Sequence, residues 1–320
     1  MSSNDCASAV KVLLDLAMPD FIEALFTPHC ELVPWSALDD GGDLPEVEAM
    51  ITYAHPHVDT ALLARLPSLR VVSNYGVGVD HIVLDDCVRA GVPVGNTPGV
   101  VNGATADLTM ALVLAIARNV VAGDQFARSE QFTHVDPGLL LGTDVFGATL
   151  GIVGMGGIGR EVAKRASGFG MRIVYHNRNR DEAAEAELNA SYLPLDELLG
   201  TADFVSLNMP LDDSTRGMIG EREISLMRPD AFLVNAARGA VVDTDALTRA
   251  LSERRIAGAA LDVTEPEPLP RNHPLLALDN VVVLPHLGTS TVQTRKRMGE
   301  MTLDNLLAGL AGKPLPNRVV

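Results

Sequence analysis

The amino-acid sequence predicts an α/β protein made of two doubly wound, parallel-sheet domains. Short runs rich in Val, Ile and Leu alternate with helical patterns along almost the whole chain, which is typical of parallel sheets with helices on both faces. The length of 320 residues suits about two domains. A glycine-rich turn at residues 154–159 lies between one such run and a helical pattern, as in nucleotide-binding sheets.

The elements follow in order along the chain. In the first part, strands are predicted at residues 10–16, 49–53, 70–73 and 92–95. The helices between them are predicted at residues 20–26 and 60–66. A long helix, nearly all apolar in its first half and therefore expected to be buried between domains, covers about residues 104–128. A poorly patterned stretch follows at residues 131–144.

A second series of strands and helices begins after this stretch. Its strands are predicted at residues 150–153, 172–175, 204–208, 231–235, 258–262 and 281–284. A last helix is predicted at about residues 291–310. Because the carboxyl ends of parallel strands share one edge of a sheet, residues just past these strands are expected to converge.

The overall charge and hydropathy argue against two classes of partner. A formal net charge of −16 argues against nucleic acid, because a phosphate backbone repels an acidic surface. No membrane is expected either, because the most apolar run, residues 110–117, is too short to span a bilayer. The polar N-terminus lacks the pattern of a signal peptide.

The cysteines and histidines indicate a reducing, cytoplasmic setting without a metal. Cys6, Cys30 and Cys87 are far apart and form neither a disulfide framework nor a zinc motif. His55 and His57 flank a proline with no further ligand in view, so no metal site is predicted there.

The strongest motif is the glycine-rich turn after the strand at residues 150–153. It consists of Gly154, Met155, Gly156, Gly157, Ile158 and Gly159. The first glycine permits a tight turn, the second lets the backbone approach a pyrophosphate, and the last lets helix and strand pack closely. The phosphates would then face the free N–H groups at the helix N-terminus. We therefore predict a dinucleotide site at this Rossmann-like turn.

The residues after the next strand indicate which dinucleotide binds. An NAD site has an acidic residue here for the ribose hydroxyl, but this chain has Asn177, followed by Arg178 and Arg180. The arginines would pair with a 2′-phosphate that a carboxylate would repel, so we predict NADP (NADPH), with weaker binding of NAD. The alternative is that both arginines only lie on a solvated loop near Asp181 and Glu182.

Three ionisable residues follow predicted strands of the second series. They are Arg238, Glu267 and His286. Reduction of a ketone needs a group that anchors the substrate carboxylate, one that polarises the carbonyl and one that donates a proton. Each residue alone is weak evidence, since a lone histidine after a strand is more often structural. Together, at one sheet edge, they form a candidate catalytic set.

These segments together resemble the D-isomer-specific 2-hydroxyacid dehydrogenases. The resemblance covers nearly the whole chain and includes the glycine turn and the segments at residues 235–239, 261–268 and 285–286, in matching order and spacing. The Asn-Arg-Asn-Arg sequence at residues 177–180 is similar to the NADPH-preferring glyoxylate/hydroxypyruvate reductase branch.

The resemblance implies a role for each member of the set. His286 would be the proton donor in ketone reduction, and Glu267 would hydrogen-bond it and stabilise its protonated form. Arg238 would bind the substrate carboxylate and help to polarise the 2-keto oxygen. Glu265 is the alternative candidate for the carboxylate that pairs with His286. The family motif, however, places the catalytic glutamate between two prolines, as Glu267 is here.

The first part of the chain supplies a second anchor through the same resemblance. The loop at residues 74–80 is similar to the family's substrate loop, in which the N–H groups of Val77 and Gly78 would hold the substrate carboxylate. An ordinary tight turn between strand and helix is the alternative.

Further contacts with the cofactor are implied. Pro210 and Thr215 would line the adenosine side, while Ala236 and Asp262 would meet the nicotinamide, Asp262 as an acceptor. The implied contacts outside the glycine turn and residues 177–180 are Thr105, Asn208, Pro210, Thr215, Ala236, Arg238, Asp262, His286 and Gly288.

The resemblance also implies an arrangement of domains and a function. A discontinuous substrate-binding domain would comprise residues 1–101 and 289–320, and a dinucleotide-binding domain residues 102–288, with the active site in the cleft between them. A homodimer is expected, because the family usually pairs through the cofactor domain. The preferred function is NADPH-dependent reduction of glyoxylate, hydroxypyruvate or a similar small 2-keto acid to the D-2-hydroxy acid. Alternatives are a larger 2-keto acid, such as a keto sugar acid, and a nicotinamide-sensing binding protein on the same fold.

Overall fold

A computed structural model describes residues 9–39, 41–53 and 56–320. Cys6, most of the N-terminal stretch and His55 lie outside the described residues; Cys30 and Cys87 are free and buried. The chain forms two compact units, Met1–Val101 with Ser290–Val320, and Asn102–Thr289.

The first unit contains a five-stranded parallel sheet. Its strands are β1 (Lys11–Leu14), β2 (Glu31–Pro34), β3 (Val47–Thr52), β4 (Val71–Asn74) and β5 (Val94–Gly95), in the order β2-β1-β3-β4-β5. Its first three helices are α1 (Asp20–Phe26), α2 (Thr60–Arg65) and α3 (Leu84–Ala90). Strand β2 was not predicted from the sequence, because it lies at the edge of the sheet and none of its residues is buried.

The second unit contains a seven-stranded parallel sheet. Its strands are β6 (Thr149–Val153), β7 (Arg172–His176), β8 (Ala190–Tyr192), β9 (Phe204–Leu207), β10 (Phe232–Asn235), β11 (Gly258–Leu261) and β12 (Val281–Val283), in the order β12-β11-β10-β9-β6-β7-β8. Its helices are α4 (Asn102–Ala117), α5 (Val120–Ala127), α6 (Gly157–Ser167), α7 (Glu182–Leu188), α8 (Leu195–Thr201), α9 (Glu221–Leu226) and α10 (Thr244–Ser252). The strand order reverses at β6, so a crevice for a ligand is expected beyond the carboxyl ends of β6 and β9.

Both faces of the seven-stranded sheet carry a hydrophobic core. Val162 and Ala166 of α6 pack with Ile152 on one face, while Leu198 of α8 and Leu247 of α10 belong to the cluster on the other. Strands buried on both faces are expected to be continuously apolar, as the sequence is at these runs. The α/β class with two parallel sheets is therefore confirmed.

The prediction of one long helix at residues 104–128 is wrong, because the structure has two helices there. Helices α4 and α5 are bent by 63° at a break around Asn119, which adopts a left-handed φ of 53°. The poorly patterned stretch is hydrogen-bonded to this break: the N–H of Thr143 donates to the carbonyl of Ala117, and the Asn119 amide donates to the carbonyl of Leu140. Within the described residues no single helix has the length and hydropathy of a membrane span; only α4 and α5 as a bent pair reach that threshold.

The last helix, α11 (Val292–Leu310), belongs to the first unit. The Thr291 hydroxyl caps its N-terminus by accepting from the N–H of Thr294. Gly309 allows a close approach to the sheet, since a Cβ there would lie 2.5 Å from Val71 of β4. The helix thus covers one face of the five-stranded sheet and brings its first turn towards the end of β4.

Candidate active site

The glycine turn forms a cradle at the carboxyl end of β6. Gly154 has a φ of 98°, and a Cβ there would lie 2.6 Å from the backbone N of Met209. A Cβ on Gly159 would lie 2.2 Å from the carbonyl oxygen of Gly154, so helix and turn pack directly on each other. A Cβ on Gly156, by contrast, would meet no atom within 4 Å. The space is therefore open only at the glycine where a pyrophosphate would approach.

The hydrogen bonding of this turn suits an anion. The N–H groups of Gly156, Gly157 and Ile158 donate to no described residue, as expected for the first turn of a helix. The N–H of Met155 donates to Oδ1 of Asn177 at 2.7 Å, which ties the turn to the segment after β7. These groups fit the phosphates of a dinucleotide.

The two arginines predicted to hold a 2′-phosphate differ in their contacts. Arg180 donates twice to the carboxylate of Glu185, at 2.7 and 2.8 Å, and this arginine holds the pKa of Glu185 down at about 2. The side chain of Arg178 is 78% exposed and lies 3.7 Å from Asp212. The sequence alone does not distinguish the two arginines. In the structure, the guanidinium of Arg178 is more available to a ligand than that of Arg180.

His286 and Glu267 are hydrogen-bonded to each other. Nδ1 of His286 lies 2.8 Å from Oε1 of Glu267, and both side chains are about one-third exposed. Glu265 makes no such contact, so the carboxylate next to the imidazole is that of Glu267. This leaves Nε2 as the ring nitrogen that can face a substrate.

A buried carboxylate orients the loop that carries His286. Asp262, 2% exposed, accepts from the N–H of Leu287 at 2.6 Å and from that of Gly288 at 2.8 Å. Its burial raises the pKa of its carboxyl, while these bonds and the charge of His286 oppose that rise. Thr105 lies beside the same loop, since a Cβ built on Gly288 would be 3.5 Å from the Thr105 hydroxyl.

Arg238 lies on the loop after β10, against the segment that leads to Glu267. A Cβ on the next residue, Gly239, would lie 2.0 Å from the carbonyl of Thr264, so the two loops touch. Asn235, the buried last residue of β10, donates to the carbonyl of Arg238 at 2.9 Å and accepts from the N–H of Ala237 at 3.0 Å. The orienting asparagine was not predicted from the sequence, although its place at the end of a strand was a usable signal.

The remaining predicted cofactor residues lie at the same sheet edge. Asn208 directly follows β9 and has a buried Oδ1 without a hydrogen-bond partner. Thr215 closes the following loop by donating to the carbonyl of Pro210 at 2.8 Å, and Ala236 directly follows β10. Val77 and Gly78 belong to the other unit. The described residues contain no group of three or more His, Cys, Asp or Glu placed to hold a metal.

The loop after β4 in the first unit presents its N–H groups and hides its carbonyls. The Asn74 amide donates to the carbonyls of Gly76 and Gly78 at 2.9 and 2.8 Å, and that of Asn96 to the carbonyl of Val77 at 2.8 Å. The N–H groups of residues 76–78 donate to no described residue. Consecutive N–H groups without a protein acceptor can donate to an anion, and we call them the amide nest (residues 76–78). The sequence did not reveal the part played by Asn74 and Asn96.

Comparison with known proteins decides the family. Residues 110–288 match the family described as D-isomer specific 2-hydroxyacid dehydrogenase, NAD binding domain. The chain is 47% identical over 278 residues to a glyoxylate reductase of Thermococcus litoralis. The matched region covers 86% of this chain and 84% of the relative. This chain belongs to the D-isomer-specific 2-hydroxyacid dehydrogenase family.

Solved structures of similar chains agree with membership of the D-isomer-specific 2-hydroxyacid dehydrogenases. The TT0316 protein of Thermus thermophilus is 42% identical and superposes with a TM-score of 0.89, over 97% of this chain and all (100%) of that one. An NADPH-dependent glyoxylate/hydroxypyruvate reductase from Sinorhizobium meliloti, in complex with NADP and malonate, is 29% identical with a TM-score of 0.89, over 98% of this chain and 97% of that one. The chain is thus a 2-hydroxyacid dehydrogenase with an NAD(P)-binding domain.

Proposed function

We propose that the chain reduces a short 2-keto acid, such as glyoxylate or hydroxypyruvate, to the D-2-hydroxy acid with NADPH. The observation that carries this proposal is the His286–Glu267 pair, 2.8 Å apart, at the sheet edge that also holds the glycine cradle. The similarity to glyoxylate reductases supports a small substrate.

The second unit would bind the dinucleotide. The open space at Gly156 and the free N–H groups of the turn fit its pyrophosphate, and Ala236 and Asp262 would meet the nicotinamide. When bound, the reduced nicotinamide supplies a hydride to the carbonyl carbon of the substrate. Thr105, Asn208, Pro210, Thr215 and Gly288 would complete the surroundings of the cofactor.

His286 would supply the proton. Because Glu267 occupies Nδ1, the protonated imidazole donates from Nε2 to the carbonyl oxygen as that oxygen gains negative charge. One C–H and one O–H bond thus replace the π bond of the carbonyl. The carboxylate of Glu267 stabilises the imidazolium beforehand, and the one-third exposure of the pair lets water restore the proton afterwards.

Two groups would hold the substrate carboxylate. The amide nest offers consecutive N–H donors, and the guanidinium of Arg238 offers a planar pair of donors that also polarises the 2-keto oxygen. In this proposal residues 1–101 and 289–320 form the substrate-binding domain and residues 102–288 the dinucleotide-binding domain.

The preference for NADPH rests on the segment after β7. Asn177 occupies the acid position and is engaged by the N–H of Met155, so no carboxylate there repels a 2′-phosphate. The exposed guanidinium of Arg178 can pair with that phosphate. The S. meliloti reductase in complex with NADP supports the same preference.

We further propose a homodimer that forms through the second unit. Large apolar side chains on α5 and the following segment are exposed: Val120 by 54%, Phe132 by 50%, Val135 by 83%, Leu141 by 77% and Phe146 by 71%. Several large exposed apolar side chains in one segment are typical of a surface that another protein covers. Sedimentation equilibrium tests the dimer, and a stable monomer at micromolar concentration would refute it.

A steady-state screen of 2-keto acids with NADPH and with NADH tests the reaction. We expect oxidation of NADPH, followed by its absorbance, with glyoxylate and hydroxypyruvate, and a lower kcat/KM with NADH. Turnover only of larger keto acids would redirect the proposal to a keto sugar acid. Tight cofactor binding without turnover of any keto acid would favour a sensing protein and overturn it.

A further inference from the structure

Arg295 lies in the first turn of α11, over two tyrosine rings. The central carbon of its guanidinium is 4.8 Å from the ring centroid of Tyr53 and 5.9 Å from that of Tyr75. The two rings meet edge to face, with centroids 5.4 Å apart and planes at 66°. A guanidinium that lies over an aromatic face gains cation–π energy and keeps its in-plane N–H groups available.

The tyrosine platform is fixed by its backbone. The N–H of Tyr53 donates to the carboxylate of Asp15 at 2.7 Å, and the N–H of Tyr75 donates to the carbonyl of Thr52 at 2.8 Å. The hydroxyl of Tyr75 donates to the carbonyl of Arg295 itself at 2.8 Å. The backbone of Arg295 is therefore tied to the same platform over which its guanidinium lies.

No described acidic residue pairs with the charge of Arg295. This arginine forms no ion pair with a described residue, and its guanidinium donates to the hydroxyl of Ser290 at 3.2 Å. A guanidinium without an acidic partner among the described residues suits an oxygen-bearing ligand group.

The position of this platform next to the amide nest suggests which group it binds. Tyr75 immediately precedes the nest, where the proposed function places the C1 carboxylate of the 2-keto acid. We propose that Arg295 binds the oxygen-bearing substituent on C3 of that acid and thereby selects substrates such as hydroxypyruvate over pyruvate. This inference rests on the proposed function.

Comparison of three substrates in an Arg295→Gln variant tests the proposal. Hydroxypyruvate has a C3 hydroxyl, pyruvate a C3 methyl group, and glyoxylate no C3. We expect the ratio of kcat/KM for hydroxypyruvate to that for glyoxylate to fall about tenfold or more, with a similar loss of discrimination against pyruvate. Arg297→Gln removes the same charge from an exposed position of the same helix and should leave both ratios unchanged.

Two further variants separate binding from packing. Arg295→Lys keeps the charge and the aliphatic stem and should restore part of the ratio. Tyr53→Phe keeps the aromatic platform and should preserve the ratio, whereas Tyr53→Leu should lower it.

The outcomes distinguish the two levels of the proposal. Equal losses for glyoxylate and hydroxypyruvate in Arg295→Gln, with a lower Tm, would show that Arg295 only ties α11 to the sheet. Unchanged ratios in an enzyme that reduces both acids would refute the specificity role alone. An inactive wild-type protein would refute the proposed function as well.

Discussion

The backbone N–H of His286 donates to the carbonyl oxygen of Asp262 at 2.9 Å. His286 also has a φ of 56°, in the left-handed region that costs a non-glycine residue about 1–2 kcal/mol. The carboxylate of Asp262 accepts the next two N–H groups and so holds the loop in this conformation. A buried residue just past β11 thus places the imidazole that follows β12.

The hydrogen bond between His286 and Glu267 predicts that substitution of Glu267 lowers kcat more than substitution of the nearby Glu265. His286→Gln should lower kcat by about 10²–10⁴ at neutral pH, because the proton donor is lost. Glu267→Gln should cause a smaller loss, since the amide keeps a polar contact with Nδ1 but not the charge. Glu265→Gln is the matched control and should retain most of the activity, as Glu265 does not contact His286. Equal losses in the two glutamate variants would contradict this assignment.

Two glycines of the cradle should respond differently to the same added methyl group. Gly159→Ala should destabilise the protein by about 1–3 kcal/mol, because its Cβ would lie 2.2 Å from a backbone oxygen. Gly156→Ala should leave the Tm nearly unchanged but weaken NADPH binding, because its Cβ would enter the open space. Thermal unfolding and a fluorescence titration with NADPH measure the two effects. A Gly156→Ala variant with unchanged NADPH affinity would argue against the cradle as the pyrophosphate site.

The different contacts of Arg178 and Arg180 predict different contributions to cofactor preference. Arg178→Gln should raise the Kd for NADPH about tenfold or more and leave that for NADH nearly unchanged, because it removes a charged partner of the 2′-phosphate. Arg180→Gln should have a smaller effect, since Glu185 already engages that guanidinium. Titrations of both variants with both cofactors check this. If Arg178→Gln raised the Kd for NADH as much as that for NADPH, Arg178 would not bind the 2′-phosphate.

The amide nest depends on the side chain that holds its central carbonyl. Asn96→Ala removes the donor to the carbonyl of Val77 and should raise the KM for glyoxylate by about tenfold, because the N–H groups lose their fixed direction. The kcat should change little, since no proton passes through this loop. Initial-rate measurements over a range of glyoxylate concentrations separate the two constants. A fall in kcat at constant KM would contradict the positioning role.

The hydroxyl of Tyr75 predicts a loss of stability at alkaline pH. Burial raises the pKa of Tyr75 from 10.0 to about 12. The pKa of Tyr75 is higher in the folded than in the unfolded protein, so its contribution to the free energy of unfolding is complete below pH 10. That contribution falls by about 2–3 kcal/mol in total as the pH rises towards 12. The stability advantage of the wild type over Tyr75→Phe should therefore shrink in that range. Urea unfolding of both proteins at several pH values measures it, and a constant difference would exclude the effect.

The sequence by itself determined the fold class and the chemistry-bearing segments. Continuous apolar runs predicted strands buried on both faces, and the spacing of the glycine turn predicted the start of α6, because few sequences satisfy these local requirements. The edge strands β2 and β8 went unpredicted, since short strands at the edge of a sheet need little apolar character.

Only the tertiary structure decided which side chains act on one another. A loop more than twenty residues away forms hydrogen bonds with the break between α4 and α5, and the buried Asn74 and Asn235 hold loops that local patterns leave free. Arg178 and Arg180 look alike in sequence, yet a carboxylate one turn into α7 engages only Arg180. The physical reason is that hydrogen bonds and ion pairs depend on distances between segments, which residue spacing along the chain does not contain.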